Sequence, residues 1–185
     1  MIEQVLNCRK CDLHINQNPL LDKNKKCDVM WVGLSAKKVE DLNINYPLEN
    51  NTNSGKLIEE IEHRNSEYNF YKTNLVKCLP LNDKGKIRYP SIEEMNKCIE
   101  NLLIEIEVHK PKVVILLGNI VYKFVDKYLK DNRIQLDNVS FVGIEHPSYI
   151  SVYKRNSKEE YIKKVTNIIR KSTVIKKEHA DMDER

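Results

Sequence analysis

The sequence contains no long hydrophobic run. None of its apolar stretches approaches the roughly 18 residues that a membrane-spanning helix needs. It also has no basic segment followed by an apolar one ahead of its first cysteine, so we expect no signal peptide. These two absences predict an intracellular, cytoplasmic protein with no membrane partner. The high lysine, asparagine and isoleucine content indicates an AT-rich genome, cellular or viral.

The excess of charge of one sign is small. Lysine and arginine number 31 against 27 aspartates and glutamates, which gives a net charge of +4. Such a mild excess is compatible with a polyanionic partner without requiring one. A chain of 185 residues without internal repeats is most simply one domain with a sizeable core. We therefore expect a single domain over residues 1–170, a charged, flexible tail over 171–185, and a monomer.

Cysteines are few, but four of the five stand in an informative pattern. Cys8 and Cys11 form a C-x-x-C, in which two thiolates can face one metal or cluster. Cys78 follows an apolar strand-like run and Cys98 lies in a helix-like run, so they could complete a Cys₄ set. In a reducing compartment this use is favoured over disulfides. The alternative is separate structural thiols, since a buried cysteine behaves as a small hydrophobe, and Cys27 is assigned that role.

Strand-like and helix-like segments alternate along the chain. Apolar or alternating runs predict strands at 28–34, 71–76, 112–117 and 139–144. Helical spacing and capping residues predict helices at 54–65, 91–109, 118–130 and 157–170. Alternation of this kind predicts an α/β protein, a three-layer α/β/α sandwich around a mainly parallel four-stranded sheet.

Polar residues cluster where the predicted strands end. In parallel sheets, ligands bind beyond the carboxyl ends of the strands. The segments expected there are 33–35, 74–78, 118–119 and 146–148. Three of these four segments carry polar groups suited to recognising a planar heterocycle.

Taken in order, these motifs are similar to those of a known family. From the N-terminus they are C-R-K-C (8–11), V-G-L-S-A-K-K-V-E-D (32–41), P-L (47–48), S-G (54–55), T-N-L-V-K-C-L-P (73–80), P-K-V-V-I-L-L-G (111–118) and H-P-S-Y (146–149). Together with Cys98, they resemble the iron–sulfur uracil-DNA glycosylases of family 4, with some features of family 5. The resemblance implies a DNA-repair enzyme. Such an enzyme hydrolyses the N-glycosidic bond of uracil, or of a modified base, flipped out of single- or double-stranded DNA.

The resemblance also implies a cofactor and three catalytic residues. A structural [4Fe–4S] cluster, or zinc as the alternative, is implied on Cys8, Cys11, Cys78 and Cys98. Asn74 matches the asparagine that reads the base edge. His146 matches the histidine that hydrogen-bonds a uracil carbonyl and supports charge on the leaving base. Asp41, in the only carboxylate pair near the proposed site, is the candidate for positioning water.

Further residues are implied to contact the base or the DNA backbone. The base-binding set adds the backbone of Leu34, Ser35 and Ala36 beneath the base, and the side chain of Leu48. The DNA-binding set consists of Ser148, Tyr149, Lys37, Lys38, Lys154 and Arg155.

Leu34 and Leu48 depart from the family pattern. Leu34 stands where family 4 has an acidic residue that positions water, although family 5 also lacks a polar group there. Leu48 replaces the aromatic residue that stacks on uracil, and such stacking is worth about 1–3 kcal/mol per base. These changes raise the prospect of a base other than plain uracil. They also leave two other functions open: a weak or inactive DNA-binding member, and a small-molecule enzyme acting on a nucleoside or nucleotide.

Overall fold

The computed structural model of the protein describes residues 1–24 and 26–174. Its strands are β1 (Val29–Ser35), β2 (Phe70–Val76), β3 (Val113–Leu117) and β4 (Ser140–Ile144). Its α-helices are α1 (Ile2–Leu6), α2 (Leu13–Asn16), α3 (Asn53–His63), α4 (Ile92–His109), α5 (Asn119–Asp131), α6 (Pro147–Tyr153) and α7 (Lys158–Val174). Within this described part of the chain, no helix is both long enough and apolar enough to span a bilayer.

The four strands form one parallel sheet in the order β2-β1-β3-β4. All five residues of β3 are buried, as expected of a strand covered on both faces. After β1 the chain adds β2 on one side of that strand, and then β3 and β4 on its other side. The point between β1 and β3 is therefore the topological switch, where open α/β sheets usually hold their ligands.

Helices cover both faces of the sheet. Met30 and Val32 of β1 pack in a cluster with residues of α4 and α5. Val29 and Trp31 point to the opposite face and pack with residues of α3, α6 and α7. This alternation follows from the two-residue period of a strand. The predicted three-layer α/β/α sandwich is confirmed.

The predicted long elements are present with boundaries shifted by one to four residues, and three short helices were missed. The capping box of α4 is formed. The Ser91 hydroxyl accepts a hydrogen bond from the Glu94 N–H, and the Glu94 carboxylate accepts one from the Ser91 N–H. We predicted a loop after His146, but Pro147 instead occupies the first turn of α6. Helices α1 and α2, of five and four residues, are too short to show a helical period. Helix α7 continues to Val174, and the rest of the predicted tail lies outside the described residues.

A fully buried ion pair lies under β2. The Lys77 ammonium bonds to Glu105 of α4, and neither side chain is exposed. Glu105 also accepts hydrogen bonds from the Tyr71 hydroxyl at 2.9 Å and from Thr73 at 3.0 Å. Lys77 donates further to the Asn74 carbonyl at 2.6 Å. The charges are thus satisfied on all sides, as a buried pair requires.

We expect Lys77→Met to lower the free energy of unfolding by about 3–5 kcal/mol, because Glu105 would remain buried without its counter-charge. Urea-induced unfolding followed by circular dichroism measures this loss. The matched control is Asp126→Asn, which breaks the exposed Lys130–Asp126 pair on α5 and should cost less than about 1 kcal/mol. Equal losses in the two variants would contradict the structural role of the buried pair.

Candidate active site

A cavity of about 590 Å³ opens at the carboxyl end of the sheet, over the switch point. Its volume lies within the roughly 300–1,000 Å³ typical of small-ligand pockets. Strands β1, β2 and β3 and the segment that follows β4 contribute to its wall. From the strand ends, the lining residues are Gly33, Leu34, Ser35, Asn74, Leu117, Gly118, His146 and Ser148. Polar groups from four separate segments therefore converge on one site.

Asn74 presents its amide to this cavity from β2. The residue is only 3% exposed, and its neighbour in the parallel register is Gly33 of β1. A Cβ atom at position 33 would stand 2.4 Å from Asn74 Oδ1, so the glycine is what allows the amide to lie there. Within residues 1–24 and 26–174 the Asn74 side chain makes no hydrogen bond, which leaves its donors and acceptor available to a ligand.

His146 lines the same cavity from the segment that follows β4. Its Nδ1 accepts a hydrogen bond from the Ser148 N–H at 3.2 Å and lies 2.7 Å from the Ser148 hydroxyl. Burial lowers the pKa of His146, so the ring is neutral near pH 7. Since Nδ1 is an acceptor, the proton of the neutral ring belongs on Nε2. The histidine therefore has one N–H left to donate to a ligand.

Leu48 reaches the cavity on a loop in an unusual backbone conformation. Its φ is +55°, a left-handed value uncommon for a bulky residue. The loop is held by Glu49, which is buried and accepts from Asn45 at 2.9 Å and from the Tyr46 N–H at 3.1 Å. It also packs tightly on α3, because a Cβ at Gly55 would lie 1.8 Å from the Glu49 carbonyl oxygen. These contacts hold Leu48 in position at the cavity that Asn74 also lines.

The structure brings together most of the residues predicted to bind the base. The predicted residues that line the cavity are Leu34, Ser35, Leu48, Asn74, His146 and Ser148. Ala36 is buried behind them and is not a lining residue. Asp41 also lies outside the lining; its carboxylate instead accepts from the Asn43 N–H at 2.7 Å in a local turn. Among the described residues that line the cavity, none carries a carboxylate.

The predicted phosphate-binding residues are not equivalent in the structure. The Lys37 ammonium lies 2.8 Å from the buried Glu49 carboxylate and is committed to the loop of Leu48. Lys154 pairs with Glu145 at 2.8 Å and lies over the ring of Tyr149. These two lysines therefore have structural contacts that sequence spacing could not show. Lys38, Arg155 and Tyr149 are exposed, and their contact with DNA stays a prediction.

Sequence reasoning missed one wall of the cavity. Ile87, Arg88 and Tyr89 line it from the loop between β2 and α4, and Ile120 lines it from α5. The loop showed only turn residues and no periodicity, so its contact with the site was not visible in the sequence. The only sequence signal that could have pointed to this wall is the presence of an isoleucine and a tyrosine in a loop rich in polar residues.

The four predicted ligand cysteines line a second, very small cavity of about 10 Å³. Two N–H groups are aimed at their sulfurs. The Lys77 N–H lies 3.4 Å from Cys98 Sγ, and Asn101 Nδ2 lies 3.3 Å from Cys8 Sγ. Thiolate ligands with N–H donors around them are what an iron–sulfur site needs. Among the described residues, however, no group of three histidine, cysteine, aspartate or glutamate side chains is arranged to hold a metal ion.

Burial affects the chemistry of these thiols. It raises the pKa of Cys78 to about 12, with the neighbouring cysteines adding to the effect, and it also raises the pKa of Cys98. Without a bound group, both thiols would stay protonated at neutral pH. Cys27 packs at the edge of the core, where burial likewise raises its pKa, as expected of a structural thiol.

Comparison with known proteins agrees with the fold. The family model for the uracil DNA glycosylase superfamily matches residues 15–170. The chain belongs to this superfamily.

Within the superfamily, the chain is similar to type-4 enzymes. The type-4 uracil-DNA glycosylase of Archaeoglobus fulgidus is 27% identical over 181 residues, which cover 87% of this chain and 86% of that protein. The type-4 uracil-DNA glycosylase of Thermotoga maritima is 29% identical over 189 residues, covering 95% and 93%. These matches confirm the resemblance to family 4.

A solved structure also shares the fold. The crystal structure of wild-type SMUG2 from Pedobacter heparinus superimposes with a TM-score of 0.54 over 78% of this chain and 75% of that chain, at 17% sequence identity. At this identity the match supports the arrangement of sheet and helices.

Proposed function

We propose that the protein is a DNA glycosylase that hydrolyses the N-glycosidic bond of uracil, or of a related modified base, flipped out of DNA. One observation carries the proposal. Asn74 and His146 come from strands at opposite edges of the sheet, yet they line one cavity at the switch point. Base flipping is needed because the bond is inaccessible within a stacked duplex. We also propose that the protein acts in DNA repair inside the cell and as a monomer.

His146 would stabilise the departing base. Cleavage of the bond leaves negative charge on the base, and a neutral histidine with its proton on Nε2 can donate to a carbonyl oxygen where that charge develops. The Ser148 N–H holds the ring from the other side at 3.2 Å, so the donor is oriented before the substrate arrives. Such preorganisation lowers the barrier without a cost in reorganisation at the moment of reaction.

Asn74 would read the edge of the base. An amide offers one acceptor and two donors, which match the N3–H and the O4 carbonyl of uracil. The close packing of Gly33 against Oδ1 limits where the amide can lie. A base whose edge leaves these buried groups unpaired would be rejected.

Water activation receives no carboxylate from the described residues that line this site. Leu34 occupies the family's acidic position, and Asp41 is outside the cavity lining. We infer that the reaction depends mainly on leaving-group stabilisation by His146, with water positioned by neutral polar groups such as Ser35. This makes the enzyme slower than a relative that has an acid at position 34.

A structural [4Fe–4S] cluster on Cys8, Cys11, Cys78 and Cys98 is part of the proposal. The cluster would supply folding free energy rather than chemistry, because the four cysteines join the N-terminal segment to β2 and α4. Lys77 connects this region with the base site: its N–H donates to Cys98 Sγ and its ammonium to the Asn74 carbonyl. The cysteine site would therefore support the position of Asn74.

The lack of a carboxylate among the described lining residues favours one second candidate, a DNA-binding member that recognises the base without removing it. The discriminating experiment uses labelled oligonucleotides, single- and double-stranded, that carry one uracil, hypoxanthine, xanthine or thymine. Glycosylase activity leaves an abasic site, which alkali converts into a strand break. We expect strand breaks in the oligonucleotide carrying uracil, or in the one carrying hypoxanthine or xanthine, and no breaks in the one carrying thymine. Preferential binding without breaks would establish the second candidate.

We expect Asn74→Ala to lose base discrimination as well as rate, because the base edge would be buried without partners. Single-turnover rates on the oligonucleotide panel measure both effects. Gly33→Ala should reproduce the same loss, since the added methyl would displace the amide. Lys127→Ala, at an exposed position on α5 outside the cavity lining, is the control. A Gly33→Ala enzyme with unchanged discrimination would contradict this role of Asn74.

A further inference from the structure

Two large apolar side chains stand exposed at the cavity mouth. Ile87 is 59% exposed and Tyr89 is 75% exposed, and both line the 590 Å³ cavity. They lie on the loop between β2 and α4, which we call the mouth loop (residues 79–90). Apolar surface left exposed beside a polar site is a common mark of a ligand contact.

The tip of the mouth loop is an ordered turn. Leu81 and Ile87 pair in an isolated antiparallel bridge. Asn82 closes the turn: its Oδ1 accepts from the Lys84 N–H at 3.0 Å and from the Lys86 N–H at 2.9 Å. Gly85 takes a φ of +69°, which a glycine adopts without strain. The loop therefore has a defined shape before any ligand binds.

Arg88 holds the C-terminal end of the mouth loop in place. Its guanidinium donates to the Leu81 carbonyl at 3.0 Å and to the Tyr89 carbonyl at 2.9 Å. It also forms a two-pronged bond to Glu94, at 2.8 and 2.6 Å, and Glu94 belongs to the capping box of α4. Such a fork is strong and directional. Arg88 is thus engaged within the protein, and its effect is to hold the backbone of Tyr89 against the start of α4.

We propose that Tyr89 provides the aromatic surface on which the base in the cavity stacks. The inference rests on the proposed function. Leu48 supplies only aliphatic contact, and among the described lining residues Tyr89 is the only phenylalanine, tyrosine or tryptophan. A phenol ring stacks on any base, and holding the loop in shape beforehand reduces the entropy lost on binding. Tyr89 is then a base-binding residue, and Arg88 is its positioning residue.

The test compares Tyr89→Ala with Tyr89→Phe in the full-length protein. The probe is a single-stranded oligonucleotide carrying 2′-fluoro-2′-deoxyuridine, whose glycosidic bond resists hydrolysis, together with the matched thymidine oligonucleotide. We expect Tyr89→Ala to weaken binding of the uracil probe by about 10- to 100-fold, the scale for losing one base stack. Tyr89→Phe keeps the ring and should stay within about twofold of wild type. Arg88→Gln should weaken binding by an intermediate factor while leaving the ring in place.

Controls separate this inference from the proposed function. Ile92→Ala removes a side chain that is 69% exposed, three residues further on and outside the cavity lining, and should bind as wild type. Thermal midpoints should be unchanged in both Tyr89 variants, because the ring is at the surface. Wild-type-like binding by Tyr89→Ala would overturn the stacking role alone. A wild-type protein that binds the uracil and thymidine probes equally would overturn this inference, because no uracil would then be held in the cavity, while strand breaks on the oligonucleotide panel test the proposed function separately.

Discussion

His146→Ala is expected to slow release of the base by about 10²–10³-fold, the scale for losing one preorganised donor to a developing anion. The alanine variant keeps Asn74 and the cavity, so binding of uracil-containing DNA should fall much less than the rate. Single-turnover kinetics at saturating enzyme measure the chemical step directly. Lys127→Ala, an exposed position on α5 outside the cavity lining, is the control and should leave that step unchanged.

The pH profile offers an independent check on His146. Burial lowers its pKa below the ordinary value of about 6.5. The neutral ring that donates from Nε2 is therefore fully populated at neutral pH, and the rate should be constant there. The rate should fall only when the pH drops below that ordinary value, because a proton on Nδ1 would face the Ser148 N–H. A rate that rises on acidification through this range would contradict a neutral histidine donor.

Cys98→Ser is expected to remove the proposed cluster and to destabilise the protein strongly. Metal binding is folding free energy, and structural Zn²⁺ sites contribute about 10–16 kcal/mol. Loss of even about 5 kcal/mol would lower the thermal midpoint by about 10–20 °C in a domain of this size. Iron and acid-labile sulfide analysis of anaerobically purified protein, with visible absorption and thermal unfolding, measures the effect.

Two further variants keep the cluster prediction testable if Cys98→Ser fails to fold. Cys8→Ser changes a half-buried ligand near the N-terminus and should lose iron with a smaller effect on the fold. Cys27→Ser changes the one cysteine outside the small cavity and should retain both iron and stability. Stoichiometric zinc without sulfide in the anaerobic wild-type protein would contradict the iron–sulfur cluster.

Local sequence signals predicted the long elements well. The run at 113–117 is apolar throughout and forms a strand buried along its whole length. The Ser91–Glu94 pattern predicted the start of α4, where both capping bonds are formed. Such signals are reliable because they depend on residues a few positions apart, whose spacing is set by the period of the element itself.

The positions of Asn74 and His146 were also accessible from the sequence, for a topological reason. Asn74 lies near the carboxyl end of β2 and His146 follows β4, and the carboxyl ends of parallel strands meet at one edge of a sheet. The sequence could not give the strand order, and the order β2-β1-β3-β4 puts the switch point between β1 and β3. It also could not show that Gly33 makes room for the amide of Asn74 across the β1–β2 pair.

The sequence alone thus predicted the sandwich, the grouping of the four cysteines, and the presence of Asn74 and His146 at one cavity. Tertiary structure decided the rest. Lys37 turned inward to Glu49, and Asp41 was left outside the cavity lining. Tyr89 was brought to the cavity mouth by Arg88 and Glu94. These outcomes depend on how loops pack against elements that are distant in the sequence. Such loops have no periodic pattern of apolar residues, and the contacts and charges that set their packing cannot be read from neighbouring residues.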